Sequence, residues 1–138
     1  MLKLLLNKIE AGDIINNKMF ADKDIDELLD LRDEEIFDSN WINIFSKVNS
    51  ETLVDEITQL INKIRELSFI KAYEYSESGD IASCVSDDFE LISKCYILGL
   101  DDEWINSLIL SYANGVFPCG MINLTDESLD TTIKKLVK

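Results

Sequence analysis

From Leu53 to Leu67, apolar residues recur at the spacing of one face of an α-helix: Leu53, Ile57, Leu60, Ile61, Ile64 and Leu67. Asp55, Glu56, Gln59, Asn62, Lys63 and Glu66 fall on the opposite side, and the stripe continues through Ile70 or Lys71 towards Tyr75. A strand inverts its faces at every residue and cannot keep such a pattern on one side. Ser50 is placed to cap this helix, with Glu51 in its positive first turn. So long a core-facing helix needs partners with the same period, and the rest of the chain supplies them.

Leu2, Leu5, Leu6 and Ile9 make a short first helix that Gly12 can end, while residues 13–20 have no decisive period. From Asp24, the positions Ile25, Leu28, Leu29, Arg32 (through its aliphatic stem) and Ile36 are helically spaced. Ser39 or Asn40 can cap a segment that buries Trp41, Ile44, Phe45 and Val48. Ser76–Asp80 is the best internal break, and residues 81–85 fit either a turn of helix or a short strand. Ser86 then caps a helix carrying Phe89, Ile92, Cys95 and Tyr96, which Gly99 and Leu100 end as a Schellman stop. Asp101 caps a helix with Trp104, Leu108, Ile109 and Tyr112, so 86–115 reads as an antiparallel helical hairpin. After the turn at 116–120, Thr125 caps a last helix with Leu129, Ile133, Leu136 and Val137, and Lys134, Lys135 and Lys138 suit its negative end. One proline and five glycines leave little for linkers or a turn-dense sandwich. The expectation is a single all-α domain over 1–138, a compact bundle of about six or seven short to medium helices.

Twenty-seven Asp and Glu stand against thirteen Lys and Arg, with no histidine, for a net charge of -14. Disordered acidic chains are poor in apolar residues, whereas 46% of this one is hydrophobic, so it folds behind a strongly negative surface. Such a field draws basic proteins and repels nucleic acid and anionic lipid. No apolar run reaches the ~20 residues of a membrane span. The opening Met1–Leu6 stretch is followed by polar residues and no small-residue cleavage site. Cys84, Cys95 and Cys119 are odd in number, which suits reduced, buried thiols in a cytoplasmic protein.

The acids are concentrated. Residues 21–40 hold nine, Asp22, Asp24, Asp26, Glu27, Asp30, Asp33, Glu34, Glu35 and Asp38, opposed by Lys23 and Arg32. A second group spans 74–103 and includes Asp87, Asp88, Glu90, Asp101 and Asp102, against Lys94 alone. Acids at helix starts complement the helix dipole, and Asp87, Asp88, Asp101 and Asp102 are expected in such first turns. The 22–38 cluster is harder to explain that way, because like charges three and four residues apart repel by a few tenths of a kcal/mol per pair. The expectation is that a chain keeping that repulsion uses the field. Phe37 and Trp41 could give the surface an apolar anchor, although Trp41 better suits the core.

Catalytic chemistry finds little support. Without histidine, serine and cysteine triads lack their usual base, and three scattered cysteines make no zinc ligand set. Asp22-x-Asp24-x-Asp26 begins like a calcium loop, but Glu27 stands where glycine is needed. Glu35 with Asp38 and Asp87 with Glu90 have the i, i+3 spacing that holds magnesium in some all-α nucleotide pyrophosphohydrolases. The same spacing recurs at Glu27/Asp30 and Asp30/Asp33, as chance provides among so many acids. No cofactor is expected.

Asp87-Asp88-Phe89-Glu90-Leu91-Ile92 and the stretch from Trp104 to Pro118 resemble parts of helical bacterial immunity proteins. These are the antitoxins of polymorphic and contact-dependent growth-inhibition systems. The resemblance implies a non-enzymatic inhibitor whose partner is a cognate protein toxin, commonly a basic nuclease domain. The acids of 22–38 are its first expected contact surface, and those of 87–102 its second. Two other functions are compatible with the composition. A nucleic-acid mimic of phage type would array carboxylates at phosphate-like spacing, and a metal-dependent all-α hydrolase would converge four or more in a pocket.

Overall fold

The computed structural model describes residues 1–138 as eight helices with no strand, an all-α domain with one more helix than the upper expectation. In order they are α1 (Leu2–Glu10), α2 (Asn17–Phe20), α3 (Ile25–Asp33), α4 (Glu35–Val48), α5 (Asp55–Ser76), α6 (Gly79–Leu98), α7 (Glu103–Ala113) and α8 (Leu129–Leu136). No helix is long and apolar enough to cross a membrane.

The centre of the fold is a hairpin of α5 and α6, the most extensively packed pair of helices. Its turn is made by Glu77, whose φ of 57° lies in the left-handed region, and by Ser78, which accepts the Ile81 amide as N-cap. Small residues at the interface let the two backbones approach. Ala72 and Ala82 are fully buried, and the Ser86 hydroxyl donates to the Arg65 carbonyl across the pair. Ser68 and Ser93 satisfy their buried hydroxyls on carbonyls four residues back in their own helices. Helices α1 and α2 cover α5, α3 and α4 cover α6, and α8 packs on α7. The core is one continuous cluster reaching from Leu2 to Val137.

Several expected boundaries move. Helix α6 starts at Gly79, so residues 81–85 are helical, and Ser86, Asp87 and Asp88 lie two turns inside the helix, not at its start. The winning signal is the Ser78 cap and the stripe Ile81, Ala82, Val85, Phe89 and Ile92, which is continuous across Ser86. Helix α4 likewise runs unbroken through Ser39 and Asn40, whose amide turns back to the Ile36 carbonyl. The segment from Asp24 instead breaks at Glu34, an extended residue with ψ 140°. Helix α5 begins at Asp55, beyond the Ser50 cap, with Asp55 and Glu56 as its acidic first turn. Asp102, not Asp101, caps α7, and Ser128, not Thr125, caps α8. Asp101 instead accepts the Asn106 side-chain amide at 2.6 Å and the Leu129 amide at 3.2 Å, tying α7 to α8.

The Schellman stop at Gly99 is present: Leu100 N–H reaches Cys95 O at 2.9 Å and Gly99 N–H reaches Tyr96 O at 3.3 Å. The hairpin expected over 86–115 is not a close backbone pairing. Helices α6 and α7 meet through side chains, as where the Phe89 and Tyr112 rings lie 4.7 Å apart.

Candidate functional site

The chain contains one deeply buried ionic centre, and it sets the orientation of the acidic helices. Asp88 is 0% exposed and Arg32 only 9%. Arg32 donates both terminal nitrogens to Asp88, at 2.7 Å and 2.9 Å, in a two-pronged pair. Trp41 Nε1 donates to Asp88 Oδ1 at 2.8 Å, and the Tyr112 hydroxyl donates to Oδ2 at 2.6 Å. Each carboxylate oxygen therefore accepts two bonds, which uses its full lone-pair capacity. The guanidinium lies 4.3 Å from the centre of the Phe37 ring and also reaches the Pro118 carbonyl at 3.3 Å. Helices α3, α4, α6 and α7 and the 117–118 turn are pinned at one point.

The electrostatics follow from this geometry. Burial works to lower the Arg32 pKa, but the Asp88 charge and hydrogen bonds outweigh it and raise it on balance. Burial, then the neighbouring Asp88 charge, hold the Tyr112 hydroxyl well above its ordinary value, so it stays a donor. Asp88 thus does not belong to the partner-facing surface where the sequence placed it. Buried charges need a partner, and Asp88 lies on the same helical stripe as Val85 and Ile92. That stripe, together with Arg32 on the apolar face of α3, was the available signal for the pair.

Above the pin the nine acids of 22–38 are all exposed. Asp22 occupies a left-handed turn with φ 59°. Asp24 caps α3 by accepting the Glu27 amide, Asp26 and Glu27 form its first turn, and Asp30 and Asp33 continue along it. Glu34 is the bend, and Glu35 and Asp38 open α4. None of the nine takes part in an ion pair, whereas Asp87 pairs with Arg65 at 3.0 Å, and Glu90 with Arg65 and Lys94. Nine acids outside any ion pair thus fall within residues 22–38, and twelve others are spread over the rest of the chain.

The two acidic groups meet at one place. Asp33 and Asp38 line a cleft of about 200 Å³ with Asp87, floored by Arg32, Phe37, Trp41 and Cys84. Trp41 and Asp87 also border the neighbouring hollow with Phe45, Glu90 and Lys94. Trp41 is half-buried and stacks on exposed Phe45 at 5.5 Å, so it serves both the core and the rim. Burial raises the Asp87 pKa, Arg65 opposes the rise, and Asp88 and Glu90 add to it. No group of three or more His, Cys, Asp or Glu side chains is placed to hold a metal ion. Burial likewise raises Cys84 and Cys119, so these free thiols carry little thiolate near neutrality.

Asp101 and Asp102 sit elsewhere, at the turn between α6 and α7. Asp102 caps α7 through the Trp104 and Ile105 amides and borders the largest groove, about 610 Å³, between α4, α7 and residues 120–124. Sequence reasoning missed this groove because its walls lie far apart along the chain.

No curated protein sequence matches the chain. Residues 4–119, from α1 through the turn after α7, match the family described as Immunity protein PIM1, and the chain belongs to that family of immunity proteins.

Proposed function

We propose that the protein neutralises a cognate toxin domain with a basic active face, of nuclease type, by docking the acidic surface of α3 and the start of α4 against it. The observation that carries this reading is the set of nine exposed acids without an internal counter-ion. Keeping them unpaired leaves the full field available to a partner. A nuclease must present Lys and Arg to phosphate, and that face complements this one. Steering between such fields brings association to ~10⁸–10⁹ M⁻¹s⁻¹ at low salt. The Asp33–Asp38–Asp87 cleft is sized for a basic side chain, and the Trp41–Phe45 stack beside it offers a desolvated contact. The inhibitor acts by occlusion in the cytoplasm of the producing cell and carries out no chemistry of its own.

The test is Asp30→Lys with Glu34→Lys, two exposed positions, in stopped-flow association with a cognate basic nuclease-type toxin domain. Association at low salt slows by about tenfold or more and its salt dependence flattens. An unchanged association rate at low salt removes α3 from the interface.

A further inference from the structure

The largest groove carries a second element of recognition. Its floor is Trp104, whose ring meets Phe37 edge-on at 5.3 Å and is thereby held by the core. Its rim exposes three large apolar side chains, Ile36 at 44%, Met121 at 78% and Leu124 at 58%. A soluble chain seldom leaves such a patch open around a concavity unless something covers it. Asp102 and Glu103 line one side, neither is in an ion pair, and no Lys or Arg borders the groove. The chemistry is an apolar slot with an anionic edge.

We propose that this groove receives an apolar side chain of the toxin domain that is flanked by a Lys or Arg, and that it anchors the complex which the acidic helices steer. The inference rests on the immunity function proposed above. Charge complementarity selects this occupant over a second copy of the chain. A self-pairing groove would bring Asp102 and Glu103 against their own equivalents on a molecule of net charge -14. The groove is also continuous with the acidic surface, because Ile36 follows Glu35 in the first turn of α4. One wall is formed by residues 120–124, just past the matched stretch 4–119. Steering and anchoring then fall to different residues, as rim charges govern association and buried apolar contacts govern dissociation.

The experiment uses the full 138-residue chain and a catalytically inactivated cognate toxin domain, with surface plasmon resonance as readout. Met121→Ser with Leu124→Ser raises the dissociation rate by about tenfold or more, while association changes by less than about twofold. Both side chains point to solvent, so the melting temperature stays constant, and the volume-conserving pair Met121→Leu with Leu124→Met restores slow dissociation. If the unaltered protein binds and the serine variant dissociates at the same rate, the groove is not the anchor. A concentration-dependent dimer in sedimentation that the serine variant abolishes would assign the groove to self-association and overturn the proposal. If the unaltered protein does not bind the toxin domain at all, the immunity function with this partner fails, and the groove assignment fails with it.

Discussion

Replacing Asp88 with alanine removes the one acceptor on which four donor groups converge, two from Arg32 and one each from Trp41 and Tyr112. The Arg32 side chain left behind is 9% exposed and keeps only the Pro118 carbonyl and the Phe37 and Phe117 rings as partners. Breaking a buried ion pair by removing one member costs about 3–5 kcal/mol. The stranded Tyr112 hydroxyl adds to this, while water can reach Trp41, which is half-buried. At about 3–4 °C per kcal/mol for a chain of this length, the melting temperature falls by roughly 9–20 °C. Urea denaturation followed by far-ultraviolet circular dichroism measures the same loss directly. Tyr112→Phe keeps the ion pair and loses about 1 kcal/mol, so the network remains measurable if the alanine variant does not fold. The double change Arg32→Met with Asp88→Leu is less damaging than Asp88→Ala, because no charge is left alone. A loss below about 1 kcal/mol for Asp88→Ala would mean that the pair is hydrated and does not pin the helices together.

Three further outcomes follow from the same geometry. Burial, and secondarily the Asp102 charge, push the Cys95 thiol from 9.0 up to about 12, so the unfolded chain releases that proton first as pH rises. The contribution is intact below pH 9 and fades towards 12, up to about 4 kcal/mol across the window, so the stability gap between wild type and Cys95→Ala narrows there; a constant gap refutes this. Gly99→Ala places a side chain at φ 68° with no atom within 4 Å of the new Cβ, so only conformational strain acts. It costs about 1 kcal/mol in urea denaturation, and no loss would contradict the left-handed stop. Finally, raising salt from about 0.01 M to 1 M shortens the screening length from about 30 Å to 3 Å and relaxes the self-repulsion of α3 and α4. Melting temperature therefore rises with sodium chloride at pH 7, and a fall would show that the cluster is internally compensated.

The helical class was legible because a period of 3.6 residues is written locally, as in the α5 stripe and the Gly99 stop. Helix starts were less legible. Ser86 resembles a cap in isolation and becomes an interior residue once Ser78 has begun the helix upstream. The acidity was legible as a total, and the exposure of the 22–38 group was expected of a surface kept for a partner. Asp88 departed from its neighbours because its fate depends on Arg32, 56 residues away, and on two donors from other helices.

What sequence alone determined is therefore the helical class and the sign of the field, since periodicity and formal charge are properties of the chain taken in order. Tertiary structure decided which carboxylate is structural and which are free. It also placed Asp87 beside Asp33 and Asp38, and set Met121 and Leu124 over Trp104. Those juxtapositions arise from packing between distant segments, where burial and pairing energies act, and no local pattern encodes them.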